Sequence, residues 1–205
     1  MSRQESMCTC GVIQLECNYT KSTVLLQEDV EYLKGLYGRL TPTFYTRDFN
    51  LFNVHKCHIP RKMPPEDIVI IRRIANTIQH YAQAKESLAH YFLKYTERSF
   101  TNVHIDNPNR VNKTAVTLLD MSADLVGGDA IILKKITRED LLEGKSQPDD
   151  VLANATQPPK GRRDPFIPLL VKQEIGSTMV YNGSTQHGVT RVEKGYRLVL
   201  ISWFK

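Results

Sequence analysis

A chain of 205 residues with 41% hydrophobic and 24% charged residues has the make-up of an ordinary globular protein built around one substantial core. That balance excludes a disordered chain, no apolar run approaches the roughly 20 residues a membrane helix needs, and residues 1–17 lack the apolar stretch of a secretory signal. The net charge of +5 is modest and spread along the chain, which points to a solvated surface and away from nucleic acid or a membrane as partner.

An intracellular, cytoplasmic location is expected on these grounds. The four cysteines, Cys8, Cys10, Cys17 and Cys57, all lie in the first third of the chain, where they could not staple a whole domain, so free thiols are expected. Cys8, Cys10 and Cys17 lack both a fourth ligand and a standard zinc spacing. The sequons at Asn18, Asn112, Asn154 and Asn182 have no function without a secretory route.

Two helices come first. From Gln27 to Leu40, Val30, Leu33, Leu36, Tyr37 and Leu40 share one face at helical spacing, after an acidic start. A longer helix opens at Pro64-Pro65 and repeats Ile68, Ile71, Ile74, Ala75, Ile78 and Tyr81 every three or four residues. Between them NVHKCHIP reads as a strand or strand end; His55, Cys57 and His58 look metal-like but lack a fourth ligand. His80 and His90, flanking the end of the long helix, read as ordinary surface or interface positions.

From about Leu88 the pattern turns to short β-runs: Ala89 to Tyr95, Phe100 to Ile105, Thr114 to Met121, Ala130 to Leu133, Leu169 to Ile175, Thr178 to Tyr181, His187 to Val192 and Tyr196 to Phe204. Turn signals at Gly127-Gly128, Asn182-Gly183 and Lys194-Gly195 separate them, and the glycine pair is read as a tight turn with positive φ. So many short strands predict a mainly β, α+β protein: a double-stranded β-helix, or jelly roll, braced by N-terminal helices. The predicted organisation is one domain over 1–205, with a helical support region at 1–87 and the β core at 88–205. Thr137 to Pro165, rich in Pro, Asp and Lys, interrupts the strands as an active-site lid or a tolerated surface insertion.

Chemistry enters at Val103-His104-Ile105-Asp106. Residues two apart on a strand share a face, so His104 and Asp106 project together and can fill adjacent positions on a metal. His187, from a distant strand, would complete a two-histidine, one-carboxylate triad of the kind that leaves three positions open on octahedral iron(II). Arg197 follows His187 by ten residues inside a β-run, where a guanidinium could pair with a carboxylate in the barrel interior. Tyr95 could offer its hydroxyl to the same co-substrate or be a core aromatic.

Together Tyr95, the metal pair in VHID, TAVTLLDMSADLVGGDAIIL and QHGVTRVEKGYRLVLISWF make Tyr91 to Phe204 resemble the catalytic domain of the prolyl 4-hydroxylase and procollagen lysyl hydroxylase group of 2-oxoglutarate oxygenases. The resemblance implies iron(II) on His104, Asp106 and His187, with 2-oxoglutarate anchored by Arg197. It also implies dioxygen as oxidant, ascorbate as stimulant, and release of succinate and carbon dioxide. Thr117 falls where the family has a small polar residue near the co-substrate, though a plain strand threonine is the other reading. Two departures stand out: Arg197 replaces the lysine usual in the prolyl enzymes, and Asn107-Pro108-Asn109 leaves room for only a small substrate loop. The implied substrate is a prolyl or lysyl side chain in a protein or peptide. A free amino acid or another small molecule is the alternative, as are a non-catalytic jelly-roll binding module and a cupin-type isomerase or hydrolase. The sequence does not specify an oligomeric state.

Overall fold

The computed structural model describes residues 19–40, 43–45, 50–60, 62–106, 109–135 and 166–205. It begins with strand β1 (Tyr19–Thr23), followed by helix α1 (Gln27–Arg39), and the apolar residues named above place Val30, Leu33 and Leu36 on the buried side of that helix. Glu28 and Asp29 in its first turn and Arg39 in its last complement the helix dipole. Three short strands follow, β2 (Thr43–Tyr45), β3 (Leu51–Phe52) and β4 (Val54–His58), before α2 (Pro65–Tyr81), which starts on a proline whose fixed φ suits the first helical position.

The remaining strands are β5 (Ser87–Tyr95), β6 (Phe100–His104), β7 (Lys113–Met121), β8 (Val126–Gly127), β9 (Ala130–Lys135), β10 (Phe166–Val171), β11 (Ser177–Asn182), β12 (His187–Val189), β13 (Val192–Lys194) and β14 (Arg197–Phe204). They form a seven-stranded sheet in the order β1-β11-β7-β14-β5-β4-β2, a five-stranded sheet in the order β10-β9-β12-β6-β3, and a two-stranded ribbon of β13 and β8. Every pairing is antiparallel. The predicted β core is therefore present, but the region 1–87 is not only helical. It supplies β1, β2 and β4 to the large sheet and β3 to the small one. Of these, β4 is the strand expected at NVHKCHIP, while β1, β2 and β3, two to five residues long, are too short for periodicity to reveal. Thr137 to Pro165 lies outside the described residues.

Strand alternation divides the core in two. Tyr91, Leu93 and Tyr95 on β5, Val116 and Leu118 on β7 and Val199 and Ile201 on β14 turn toward the small sheet and cluster there with Leu51, Ala130, Ile132 and Val171. Their neighbours Phe92, Ala115, Leu119, Leu198, Leu200 and Phe204 turn the other way, into one cluster with Val30, Leu33 and Leu36 of α1 and Ile74 and Ile78 of α2. The two helices are tied by the bidentate pair of Arg73 with Asp29, at 2.5 and 3.2 Å. The large sheet is thus covered on both faces. Among the described residues, no helix is long and apolar enough to cross a membrane.

Candidate active site

β6 ends at His104 and β12 begins at His187, and the two histidines are register partners in the small sheet. Their rings lie 4.3 Å apart between centroids. The chain leaves β6 directly after His104, so Asp106 sits just beyond the strand end and not on it. Its carboxylate nonetheless reaches both rings: Oδ1 lies 3.9 Å from His104 Nε2, and Oδ2 lies 4.0 Å from His187 Nε2. One ligand atom from each of the three residues falls within 4.8 Å of the others, as three donors around one cation would.

Surrounding groups set the state of each donor. His104 Nδ1 lies 2.8 Å from the carbonyl of Asn102, and His187 Nδ1 lies 2.9 Å from the carbonyl of Thr185. A carbonyl can only accept, so both Nδ1 atoms carry the proton and both Nε2 lone pairs face the carboxylate, the tautomer a metal requires. Burial first, and then the adjacent His104 ring, push the His187 imidazole down to about 4 against the pull of Asp106, which keeps this ring neutral. Thr114 donates its hydroxyl to Asp106 Oδ2 and orients the carboxylate. Tyr181 stacks at a tilt on His187, 4.5 Å between centroids; burial first, then Asp106, holds its phenol well above the usual range and so protonated.

The triad opens into a cavity of about 240 Å³ between the two sheets. Arg197 and Tyr95, register partners on β14 and β5, line it at the end of β14 away from Trp203, the register partner of Thr114. Arg197 is only 4% exposed. One of its terminal nitrogens donates to the Gly128 carbonyl and the other to Gln173 Oε1 at 2.9 Å, while its Nε–H is buried with no partner among the described residues. Gln173 is held in turn by donating to the Val116 carbonyl at 2.9 Å. Gly127 and Gly128 have φ of 73° and 70°; a Cβ on Gly127 would stand 2.0 Å from the Arg191 carbonyl oxygen, so the turn that presents the Gly128 carbonyl to Arg197 requires glycine there. Tyr95 shares a 2.7 Å hydrogen bond with Thr101 and is buried; burial raises its phenol, with Thr101 and Arg197 opposing.

Of the residues singled out from the sequence, His104, Asp106, His187, Arg197 and Tyr95 line this one cavity. Thr117 does not. It lies on the same face of β7 as Ala115 and Leu119, toward the helices, and shares a 2.8 Å hydrogen bond with Thr178 on β11. An odd separation along a strand reverses the face, so the threonine directed at the site is Thr114. Gln173, Thr114, Tyr181 and Lys56 are further residues around the site that the sequence reading passed over. No periodic signal in β7 separates Thr114 from Thr117, because the strand is buried on both faces.

His55 and Cys57 alternate with Lys56 and His58 along β4, so the metal-like run divides between two faces and cannot converge. Cys57 is a buried thiol in the helix-side cluster. His90 lies within β5 and is half-buried: Nε2 is 2.6 Å from Ser87 Oγ and Nδ1 2.8 Å from Ser202 Oγ. Cys8, Cys10, Cys17 and the Asn107-Pro108 part of the turn after Asp106 lie outside the described residues.

Neither a protein-family model nor a curated protein matches the chain. Solved structures do. An oxidoreductase of the 2OG-Fe(II) oxygenase family from Burkholderia pseudomallei matches with a TM-score of 0.62 at 12% identity, over 92% of this chain and 85% of that one. A prolyl-4-hydroxylase from Pseudomonas putida gives 0.58 at 15% identity, over 93% of each chain. HygX from Streptomyces hygroscopicus, solved with nickel, 2-oxoglutarate and hygromycin B bound, gives 0.60 at 14% identity, over 92% of this chain and 82% of that one.

The chain has the fold of the 2OG-Fe(II) oxygenases. Within that fold, the match runs beyond the Tyr91 to Phe204 segment that resembles the family in sequence and takes in most of the N-terminal region as well.

Proposed function

We propose that the protein is an iron(II)- and 2-oxoglutarate-dependent oxygenase that hydroxylates a substrate C–H bond. The observation that carries this reading is the convergence of His104, Asp106 and His187 at one end of the cavity whose other end holds Arg197. Two imidazoles and a carboxylate on one side of a cation leave its other side open to the cavity, a donor set suited to non-haem iron. The buried Nε–H of Arg197 calls for an acceptor, and a carboxylate supplies one.

Iron(II) and 2-oxoglutarate, when bound, supply the oxidising power that places one atom of dioxygen on the substrate carbon, with succinate and carbon dioxide released. The chain's residues do the rest. His104, Asp106 and His187 hold the metal, with Thr114 and the carbonyls of Asn102 and Thr185 fixing their orientation. Arg197 binds the distal carboxylate, and Tyr95 lies in register beside it. Gly128 and Gln173 aim the guanidinium without neutralising it, because both are uncharged acceptors. Apolar walls of Leu93, Val116, Val199 and Ile201 keep bulk water from the reacting carbon. Thr117 has no part in this scheme.

The resemblance places a prolyl or lysyl side chain of a protein or peptide first among substrates, in line with the prolyl-4-hydroxylase among the neighbours. HygX, solved with hygromycin B, supports a small molecule as the alternative. The one-domain organisation over 1–205 and the bracing of the core by the N-terminal helices belong to the same reading, and the shared apolar cluster of α1, α2 and the large sheet supports them. The test is succinate formation from 2-oxoglutarate with iron(II) and ascorbate, alongside calorimetric binding of 2-oxoglutarate to metal-loaded protein. Absence of both turnover and binding would overturn the assignment.

A further inference from the structure

The cavity wall beyond Arg197 carries polar groups to which the oxygenase reading gives no task. Lys56 on β4 is the register partner of Leu93 and lines the cavity with it. Its ammonium stands 4.4 Å from the centroid of the Tyr91 ring. Tyr91 in turn meets Trp203 edge to face, 5.2 Å between centroids. Trp203 is the register partner of Thr114, the residue that donates to Asp106, so this row runs from Lys56 to the level of the triad. The indole Nε1–H of Trp203 is buried with no hydrogen-bond partner among the described residues. Asp106 is the only carboxylate among the described residues lining the cavity, and it belongs to the triad.

An ammonium and an indole N–H can only donate. A wall that combines them with two aromatic rings suits a substrate with an apolar body and an anionic acceptor group. A lysyl ammonium there would meet the like charge of Lys56, and no carboxylate outside the triad among the described residues lining the cavity would offset it, at a cost that the enclosed site amplifies. We propose that Lys56, Tyr91 and Trp203 form the subsite for a carboxylate of the primary substrate, so that the hydroxylated carbon belongs to a small organic acid, the small-molecule alternative above, in place of the protein side chain that the resemblance puts first. The proposal deepens the oxygenase reading and rests on it for turnover; binding at the subsite does not depend on turnover.

Trp203 is the single tryptophan of the chain, so its fluorescence reports from the subsite itself. Zinc-loaded protein with 2-oxoglutarate is titrated with N-acetyl-L-proline, N-acetyl-L-leucine and L-pipecolate, each against its own primary amide. At least one acid is expected to give a saturable change and to bind roughly ten- to a hundredfold more tightly than its amide, the range of a hydrogen bond to a charged group. Lys56→Met is expected to erase that preference and Lys56→Arg to keep it. Equal binding of acid and amide, no response to any acid, or a preference that survives in Lys56→Met would overturn the proposal. So would a loss of 2-oxoglutarate binding in Lys56→Met as large as in Arg197→Met, since the ammonium would then serve the co-substrate. Acid selectivity without succinate formation would leave the subsite standing and remove the oxygenase reading; succinate formation without acid selectivity would do the reverse.

Discussion

His104 and His187, 83 residues apart in the chain, face each other across two neighbouring strands of the small sheet, with ring centroids 4.3 Å apart. Each is oriented by a carbonyl two residues before it, Asn102 for one and Thr185 for the other. Asp106 closes the pair from the chain segment that follows β6.

His187→Ala should therefore lower zinc or cobalt affinity by more than a hundredfold while leaving the apo fold intact, because a small side chain at the cavity wall removes a donor and not a packed core residue. Metal titration monitored by calorimetry checks the affinity, and far-ultraviolet circular dichroism checks the fold. Metal binding at near wild-type strength would remove His187 from the triad.

The two threonines of β7 separate site from scaffold. Thr114→Val should weaken metal binding roughly tenfold or more by freeing the Asp106 carboxylate, with little change in apo stability. Thr117→Val should leave metal and 2-oxoglutarate binding unchanged and cost about 1–3 kcal/mol, since it strands the buried hydroxyl of Thr178. Urea unfolding and metal titration on both variants read the two effects; a swap of the outcomes would contradict the strand parity described above.

Arg197→Met should retain metal but raise the 2-oxoglutarate KM by roughly two orders of magnitude, with loss of a charge-assisted contact as the cause. Gln173→Leu should raise the same KM by a smaller factor and alter kcat little, because it only loosens the guanidinium. Gln173→Glu should be worse than Gln173→Leu, since a carboxylate there competes with the co-substrate for Arg197. Steady-state kinetics in 2-oxoglutarate would detect the order, and a Gln173→Glu variant with wild-type KM would exclude a role for Gln173.

His90 should make the protein acid-sensitive. Burial pushes its imidazole down to about 4 in the folded chain, against about 6.5 when unfolded. Above pH 6.5 both states are neutral and the full stability is present. As pH falls from about 6.5 to about 4, the unfolded chain gains a proton that the folded chain refuses, and stability drops by up to roughly 3 kcal/mol; below about 4 both states are protonated and this loss stops. Comparing wild type with His90→Gln by urea unfolding at pH 7 and pH 5 isolates the contribution, and parallel pH profiles would assign the acid sensitivity elsewhere.

Much of this was legible in the chain. The helical spacing of Val30, Leu33 and Leu36 and of Ile74 and Ile78 placed both helices, because one face of each is buried and the other is wet. Gly127-Gly128 marked a turn whose carbonyl now meets Arg197. The strand containing Thr114 and Thr117 was opaque for a physical reason: buried between the helices and the small sheet, it is apolar or small on both faces, so no alternation reveals which residues point inward. The predicted strand at Leu169 to Ile175 lies instead at Phe166–Val171, where Pro168 is tolerated because β10 is a sheet edge.

By itself, then, the sequence put forward the candidate donors: H-x-D, a distal histidine and an arginine ten residues on are residue types in an order that resembles the oxygenases. Tertiary structure decided which groups serve them. Thr114 reaches Asp106, Gln173 reaches Arg197, and Lys56 enters the cavity only through pairings between strands distant in the chain. Such contacts depend on register and on a bulge such as the shift between Leu198 and Val199, where one residue of offset turns every following side chain to the other face, and no local pattern in the chain encodes that offset.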